Sequence, residues 1–124
     1  MRELLRKHTI SFKNAFSGLW WAASTQPNFR VHLLLATVAV LLGFYFDITQ
    51  TEWGIIIFTI VLGLMTELMN TAIESMTDLI TKEWRQEAKI AKDVAAGMML
   101  TVAIGAIFVA IVIYGPYIVT VFAQ

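Results

Sequence analysis

Four stretches of patterned sequence account for nearly the whole chain. From Arg2 to Thr25, Leu5, Phe12, Phe16, Leu19, Trp20 and Ala23 recur at spacings of three and four, while Arg2, Arg6, Lys13 and Ser17 fall mainly on another face. That spacing predicts a helix over residues 2–25 with one apolar side, of the kind that lies in a membrane interface. Pro27 ends it, because the residue before a proline is pushed out of the helical region. Trp20 and Trp21, near that turn, suit the headgroup layer. Three apolar runs follow, at residues 29–46, 53–78 and 94–122. Each is near the roughly 20 residues that a bilayer core asks of a helix. Hydrocarbon offers no partner to a backbone N–H or C=O, so these runs are expected to be helices.

Composition agrees with this pattern. Of 124 residues, 58% are apolar and 12% aromatic, and the mean hydropathy is positive, which excludes an ordinary soluble domain. The expected fold is therefore all-α and integral to the membrane: one amphipathic interfacial helix and three transmembrane helices in a single domain over residues 1–124. No repeat or low-complexity linker divides the chain. Nothing before the first span has the form of a cleavable signal, so the N-terminus is expected to be mature. With no cysteine present, disulfides and thiolate metal sites are excluded.

Charge placement adds an orientation. All nine basic residues (Arg2, Arg6, Lys7, Lys13, Arg30, Lys82, Arg85, Lys89 and Lys92) precede or open the first span or lie between the second and third. The short link after the first span offers only Asp47 and Glu52. An excess of Lys and Arg marks cytoplasmic loops, so the N-terminus and the 81–93 segment are expected in the cytoplasm and the C-terminus outside. The net charge is zero, which gives no support for a nucleic-acid partner. The basic clusters suit lipid headgroups or a phosphorylated ligand instead.

One segment does not fit its apolar surroundings. TELMNTAIESMTD, residues 66–78, follows an apolar run yet carries Glu67, Asn70, Glu74 and Asp78. Separations of three, four and four put them on one helix face, which must point at protein or a water-filled cleft. Counting about 1.5 Å per residue from Trp53 at the outer boundary, Glu67 lies roughly 21 Å along and Glu74 roughly 31 Å, against a core about 30 Å thick. The helix thus offers one carboxylate to something dissolved in lipid and another, about 10 Å away, to something dissolved in water. That suits an enzyme joining a lipid to a cytosolic reagent. Carboxylates in a bundle can also be packing features paired with Lys or Arg. Each ionised group, however, costs about 2.5–3.5 kcal/mol on insertion scales unless satisfied, so four polar groups on one face weigh toward function. Asp78 is expected to cap the helix or pair with Lys82 one turn on.

A second cluster faces the same compartment. AKDVAAG, residues 91–97, sets Lys92 and Asp93 at the mouth of the third span. Lys92 suits a phosphate; read blandly, it is a positive-inside lysine, with Asp93 serving the N-terminal turn of the helix. Gly97, Thr101 and Gly105, four apart, form a packing seam that suggests oligomerisation. His32, with Arg30, reads as an interfacial contact.

NFRVH (28–32), ELMNTAIE (67–74) followed by Asp78, and AKDVAAG (91–97), in this order in a three-span chain of this length, resemble the prokaryotic diacylglycerol kinase family, which includes the undecaprenol kinases. The resemblance covers nearly the whole chain. It implies a homotrimeric kinase of the bacterial cytoplasmic membrane that moves the γ-phosphate of ATP, with magnesium, onto a lipid hydroxyl. By resemblance Glu67 is the catalytic base, Asn70 orients the site, and Glu74 holds the metal. Lys92 and Asp93 contact the nucleotide, joined by Lys7, Asn14 and the segment Glu83, Trp84 and Arg85. Asn28, Arg30 and His32 border the lipid cleft. Neither a P-loop nor the protein-kinase glycine motif is present, so phosphates would be held by metal and side chains.

Gln26 departs from the family pattern: many members carry a glutamate there as a second metal ligand. An amide oxygen can still ligate magnesium, with one negative charge fewer, so weaker metal binding with activity retained is expected. As acceptor, undecaprenol is favoured over diacylglycerol, because the histidine ending NFRVH resembles the undecaprenol branch. Two other classes stand beside this reading. A proton- or cation-conducting oligomer would use Glu67 and Glu74 as a relay, but residues 54–65 continue it only with Thr59. A non-catalytic membrane scaffold would be indifferent to Glu67→Gln.

Overall fold

The computed structural model describes the backbone of residues 2–123 and the side chains of residues 10–123. Its elements are four helices: α1 (Arg2–Thr25), α2 (Pro27–Tyr45), α3 (Gln50–Ile80) and α4 (Gln86–Phe122). α2, α3 and α4 are long and apolar enough to cross a membrane. At about 1.5 Å per residue, the 31 residues of α3 and 37 of α4 both outrun a core about 30 Å thick. Each therefore carries polar residues past the apolar layer.

Local chemistry sets each boundary. Gln26 is extended (φ −95°, ψ 112°) and Pro27 opens α2, where its fixed φ suits a first helical turn and its missing N–H costs nothing. After α2 the chain reverses tightly. Asp47 takes a positive φ of 49°, a conformation that Asp tolerates better than most residues, and the Ile48 N–H returns to the Gly43 carbonyl at 3.2 Å. Thr49 then starts α3 with a reciprocal cap. Its Oγ1 accepts from the Glu52 N–H at 3.4 Å, and Glu52 Oε2 accepts from the Thr49 N–H at 2.7 Å.

The α3–α4 link is short, and α4 starts at Gln86, eight residues before the apolar run. QEAKIAKD is polar but helical, with Lys89 paired to Asp93 one turn on. Asp93 therefore lies two turns into the helix rather than in its N-terminal turn, where its anticipated role would place it.

α3 packs chiefly along α4 and less extensively against α2, and α1 touches α2 only lightly. The buried apolar cluster sits at the Thr49 turn, where Ile48, Ile56, Ile113 and Tyr114 close against Leu42 and Trp53. Gly43 permits the approach, since a Cβ there would lie 2.7 Å from the Trp53 ring. Tyr114 OH donates to the Ala39 carbonyl at 2.7 Å, and Tyr117 OH to Glu52 Oε2 at 2.9 Å, tying α4 to both α2 and α3. Elsewhere the helices expose large apolar side chains, among them Leu34, Leu41, Phe58, Phe108 and Val112. That is ordinary for surfaces that meet lipid or another helix. Cβ atoms built on Gly97 and Gly105 would meet nothing within the chain, so the seam they form with Thr101 has no partner helix among the described residues.

Candidate active site

The polar ladder runs along unbroken α3, and its middle is buried. Glu67 is 2% exposed and Asn70 5%, with Thr66 and Thr71 buried beside them. Two buried threonines of α3 satisfy their hydroxyls locally: Thr66 donates to the Leu62 carbonyl at 2.8 Å and Thr77 to that of Ile73 at 2.7 Å. Asn70 works differently. Its Nδ2 donates to Glu74 Oε1 at 3.1 Å, which fixes the amide plane and aims that carboxylate. Its Oδ1 is buried and accepts no hydrogen bond from any described residue. A buried acceptor without a donor costs about 1–3 kcal/mol, so Asn70 Oδ1 is a polar atom that the described residues leave unsatisfied. No described side chain hydrogen-bonds or ion-pairs with Glu67 either. The buried Glu67 and Asn70 thus hold three side-chain oxygens without a partner among the described residues, and the exposed Glu74, one turn on, has its carboxylate oriented by Asn70.

Residues from the other helices approach this face. His32 on α2 faces Gly63, whose missing Cβ would lie 3.7 Å from Nδ1; Gly63 is one turn from Glu67, on the side away from Glu74. Asn14 on α1 lines an open cleft of about 480 Å³ with Gly18, Trp21, Thr71, Ala72 and Ser75. Thr71 and Ser75 adjoin the ladder and were not singled out in the sequence; their spacing of four beside Glu67 and Glu74 is the signal that marks them. Lys7 lies outside the residues whose side chains are described.

At the α3–α4 link, Lys92 reaches back to Asp78 Oδ1 at 2.5 Å. Asp78 thus pairs with Lys92 rather than with Lys82, because α3 ends at Ile80, so that Lys82 is not one helical turn on, and α4 folds back alongside α3. Asp93 is taken by Lys89, and Arg85 by Glu83 at 2.9 Å. These pairs are largely exposed, so they hold weakly and exchange readily. A second recess of about 500 Å³ lies here, lined by Thr77, Thr81, Arg85, Glu87 and Ala91. Of these only Arg85 was anticipated; Thr77, Thr81 and Glu87 meet it through the folding back of α4, which no local pattern encodes. Trp84 is exposed.

Two anticipated residues serve the α1–α2 joint. Gln26 turns its Nε2 to Thr25 Oγ1 at 3.2 Å, and Arg30 donates to the Ser24 carbonyl at 2.9 Å. Asn28 is exposed on the first turn of α2. Among the described residues no group of three or more His, Asp or Glu gathers as a metal cage. Glu74 and the free Oδ1 of Asn70 are hard oxygen donors, and two of these fit an ion such as magnesium that keeps several waters and takes the rest of its shell from phosphates.

The sequence model of the prokaryotic diacylglycerol kinase family matches residues 13–114, and the chain belongs to that family. The undecaprenol kinase of Bacillus subtilis (strain 168) is 37% identical over 116 residues, which cover 93% of this chain and 94% of the relative. The diacylglycerol kinase of Synechocystis sp. is 36% identical over 101 residues, 81% of this chain and 58% of that protein. The diacylglycerol kinase of Helicobacter pylori (strain J99) is 33% identical over 118 residues, 90% of this chain and 89% of the relative. The family resemblance carried by the NFRVH, ELMNTAIE and AKDVAAG segments is thereby borne out. The protein is a multi-pass membrane lipid kinase, a phosphotransferase with an alcohol as acceptor and a nucleotide as phosphate donor.

Proposed function

We propose that the protein transfers the γ-phosphate of MgATP to the hydroxyl of undecaprenol, with its N-terminus and the α3–α4 link on the cytoplasmic side of the bacterial cytoplasmic membrane. The observation that carries this is the buried Glu67–Asn70 pair, whose carboxylate and amide oxygen are free, with the exposed Glu74 oriented by Asn70 one turn on. Glu67 accepts the proton of the lipid hydroxyl as its oxygen bonds to the γ-phosphorus and the bond from that phosphorus to the bridging oxygen breaks, leaving ADP. Its depth supports this role, since an alcohol anchored in the leaflet reaches it without leaving the hydrocarbon. Glu74 and Asn70 would hold magnesium, which when bound would neutralise charge on the phosphates. Lys92 adds a cation for the phosphates once Asp78 releases it. Asn14, Asp93 and the segment Glu83, Trp84 and Arg85 border the nucleotide, Lys7 joining them from α1.

Undecaprenol is preferred because the histidine that ends NFRVH resembles the undecaprenol branch, and His32 stands beside Gly63, one turn from Glu67. The Bacillus subtilis relative matches along nearly its full length. Family resemblance also supports a homotrimer, and the uncovered Gly97–Gly105 seam is suited to helix contact between copies. The test is transfer of labelled γ-phosphate from MgATP by purified protein in mixed micelles, offered undecaprenol and diacylglycerol separately, with Glu67→Gln as control. Label on undecaprenol, lost in the control, is the expected result. Label on diacylglycerol alone would move the acceptor, and transfer to neither by folded protein would remove the kinase reading.

A further inference from the structure

The passage from α1 to α2 is a single extended residue, Gln26, so little backbone resists a change in the angle between the two helices. What holds that angle is a network on the last carbonyls of α1, which lack helical partners of their own. The Trp21 carbonyl accepts from Ser24 Oγ at 3.1 Å and Thr25 Oγ1 at 2.7 Å. The Ala22 carbonyl accepts from the Gln26 N–H at 2.9 Å. The Ser24 carbonyl accepts from Arg30 Nη2 at 2.9 Å. Only the last of these bonds crosses the joint from the body of α2. A cation there also meets the negative end of the α1 dipole. Ala22 and Phe29, on either side of the joint, are both buried, so the clamp closes over a packed hinge.

The consequence lies one helix away. α1 has few other anchors, yet it forms a whole wall of the cleft in which Asn14 faces Thr71 and Ser75, next to the Glu67 and Glu74 face. Any change in the α1–α2 angle moves that wall. We propose that Arg30 is a positioning residue: it locks the α1–α2 joint and so sets the width of the α1–α3 cleft that receives the nucleotide. This assigns Arg30 to the hinge rather than to the lipid, and it rests on the kinase reading above, in which α1 supplies Asn14 and Lys7 to the nucleotide. The planar guanidinium keeps a fixed direction at the carbonyl, whereas an ammonium on a flexible stem does so less well.

The chain has no cysteine, so Ser11→Cys with Met76→Cys puts one spin label on an exposed position of α1 and one on an exposed position of α3. Pair distances are measured in lipid nanodiscs, with labelled chains diluted into unlabelled ones, beside steady-state kinetics for MgATP and lipid. Arg30→Gln is expected to shift or broaden the α1–α3 distance. It should raise the KM for MgATP about fivefold, the change that losing about 1 kcal/mol brings. The kcat and the lipid KM should stay within about twofold. Arg30→Lys should fall between, and it carries the same comparison if the glutamine variant does not fold. An unchanged distance with a raised lipid KM would overturn the proposal and return Arg30 to the acceptor. A shifted distance with an unchanged MgATP KM, or no change in either, would also overturn it. Absence of transfer by the unsubstituted chain would instead remove the kinase reading, and the distances would still report on the joint.

Discussion

The two ends of the helix bundle are built to opposite rules. At the Thr49 turn, Glu52 Oε2 takes three hydrogen bonds, from the Thr49 N–H, the Thr49 hydroxyl and Tyr117. Tyr114 ties α4 to α2, and Gly43 lets Trp53 close on the turn. At the α3–α4 link the polar groups outnumber their firm partners. Asn70 keeps a buried acceptor free, two recesses open between helices, and Lys92 and Asp93 sit in exposed pairs. One end is finished within the chain; the other leaves polar groups unpaired or loosely paired. Stability and chemistry thereby occupy different places, so that a change at either end should show in a different measurement.

The two ends part most sharply at Glu67. Glu67→Gln keeps size and hydrogen-bonding capacity and removes the proposed base, so kcat is expected to fall about a hundred- to ten-thousand-fold, with the melting temperature unchanged or raised. A melting temperature that fell with the rate would mean that the buried carboxylate also serves the fold. At the opposite end, Gly43→Val is expected to do the reverse. Its Cβ would enter within 2.9 Å of two Trp53 ring atoms and 3.2 Å of Ile48 Cδ1, and the ring already packs on Phe44 at 4.9 Å. Overpacking of this kind costs about 1–3 kcal/mol. Thermal denaturation should register it, while rates per folded chain hold.

Tyr117→Phe is the finer probe of the same end. It deletes one of the three donors to Glu52, and two remain. The expected loss is about 1 kcal/mol of stability, read as a lower midpoint in a denaturant titration, with kcat/KM preserved. A loss of activity at constant stability would show that the finished end is coupled to the chemistry.

The same division governs how much could be read from the sequence. The spans and the amphipathic α1 were legible because each follows from its own residues, by apolar run length or by a 3.6-residue period. So was the Glu67, Asn70, Glu74 and Asp78 face, since spacing alone puts positions on one side of a helix. The start of α4 was not, because QEAKIAKD carries no apolar signal and is helical as the extension of a long span. The Lys92–Asp78 pair and the meeting of Asn14 with Thr71 and Ser75 depend on how two helices lie together, which no single segment encodes. The free Oδ1 of Asn70 falls between: position 70 stood out, but its unpaired oxygen follows from the packing around it.

Gln26 tests the unfinished end most gently. Its Nε2 rests on Thr25 Oγ1, a contact that a carboxylate cannot make as donor, although Thr25 keeps its own bond to the Trp21 carbonyl. Gln26→Glu would therefore free the side chain from the joint and add a negative charge at the first turn of α2, near the favourable end of that helix dipole. With Glu74 the one carboxylate that Asn70 orients, a second carboxylate should lower the magnesium concentration for half-maximal rate by about two- to fivefold, in keeping with about 0.5–1 kcal/mol for a partly exposed charge. The kcat at saturating magnesium should not move. A magnesium titration of the two proteins side by side decides the matter. An unchanged half-saturation point would assign position 26 to the α1–α2 joint alone and leave Glu74 and Asn70 as the proposed metal ligands.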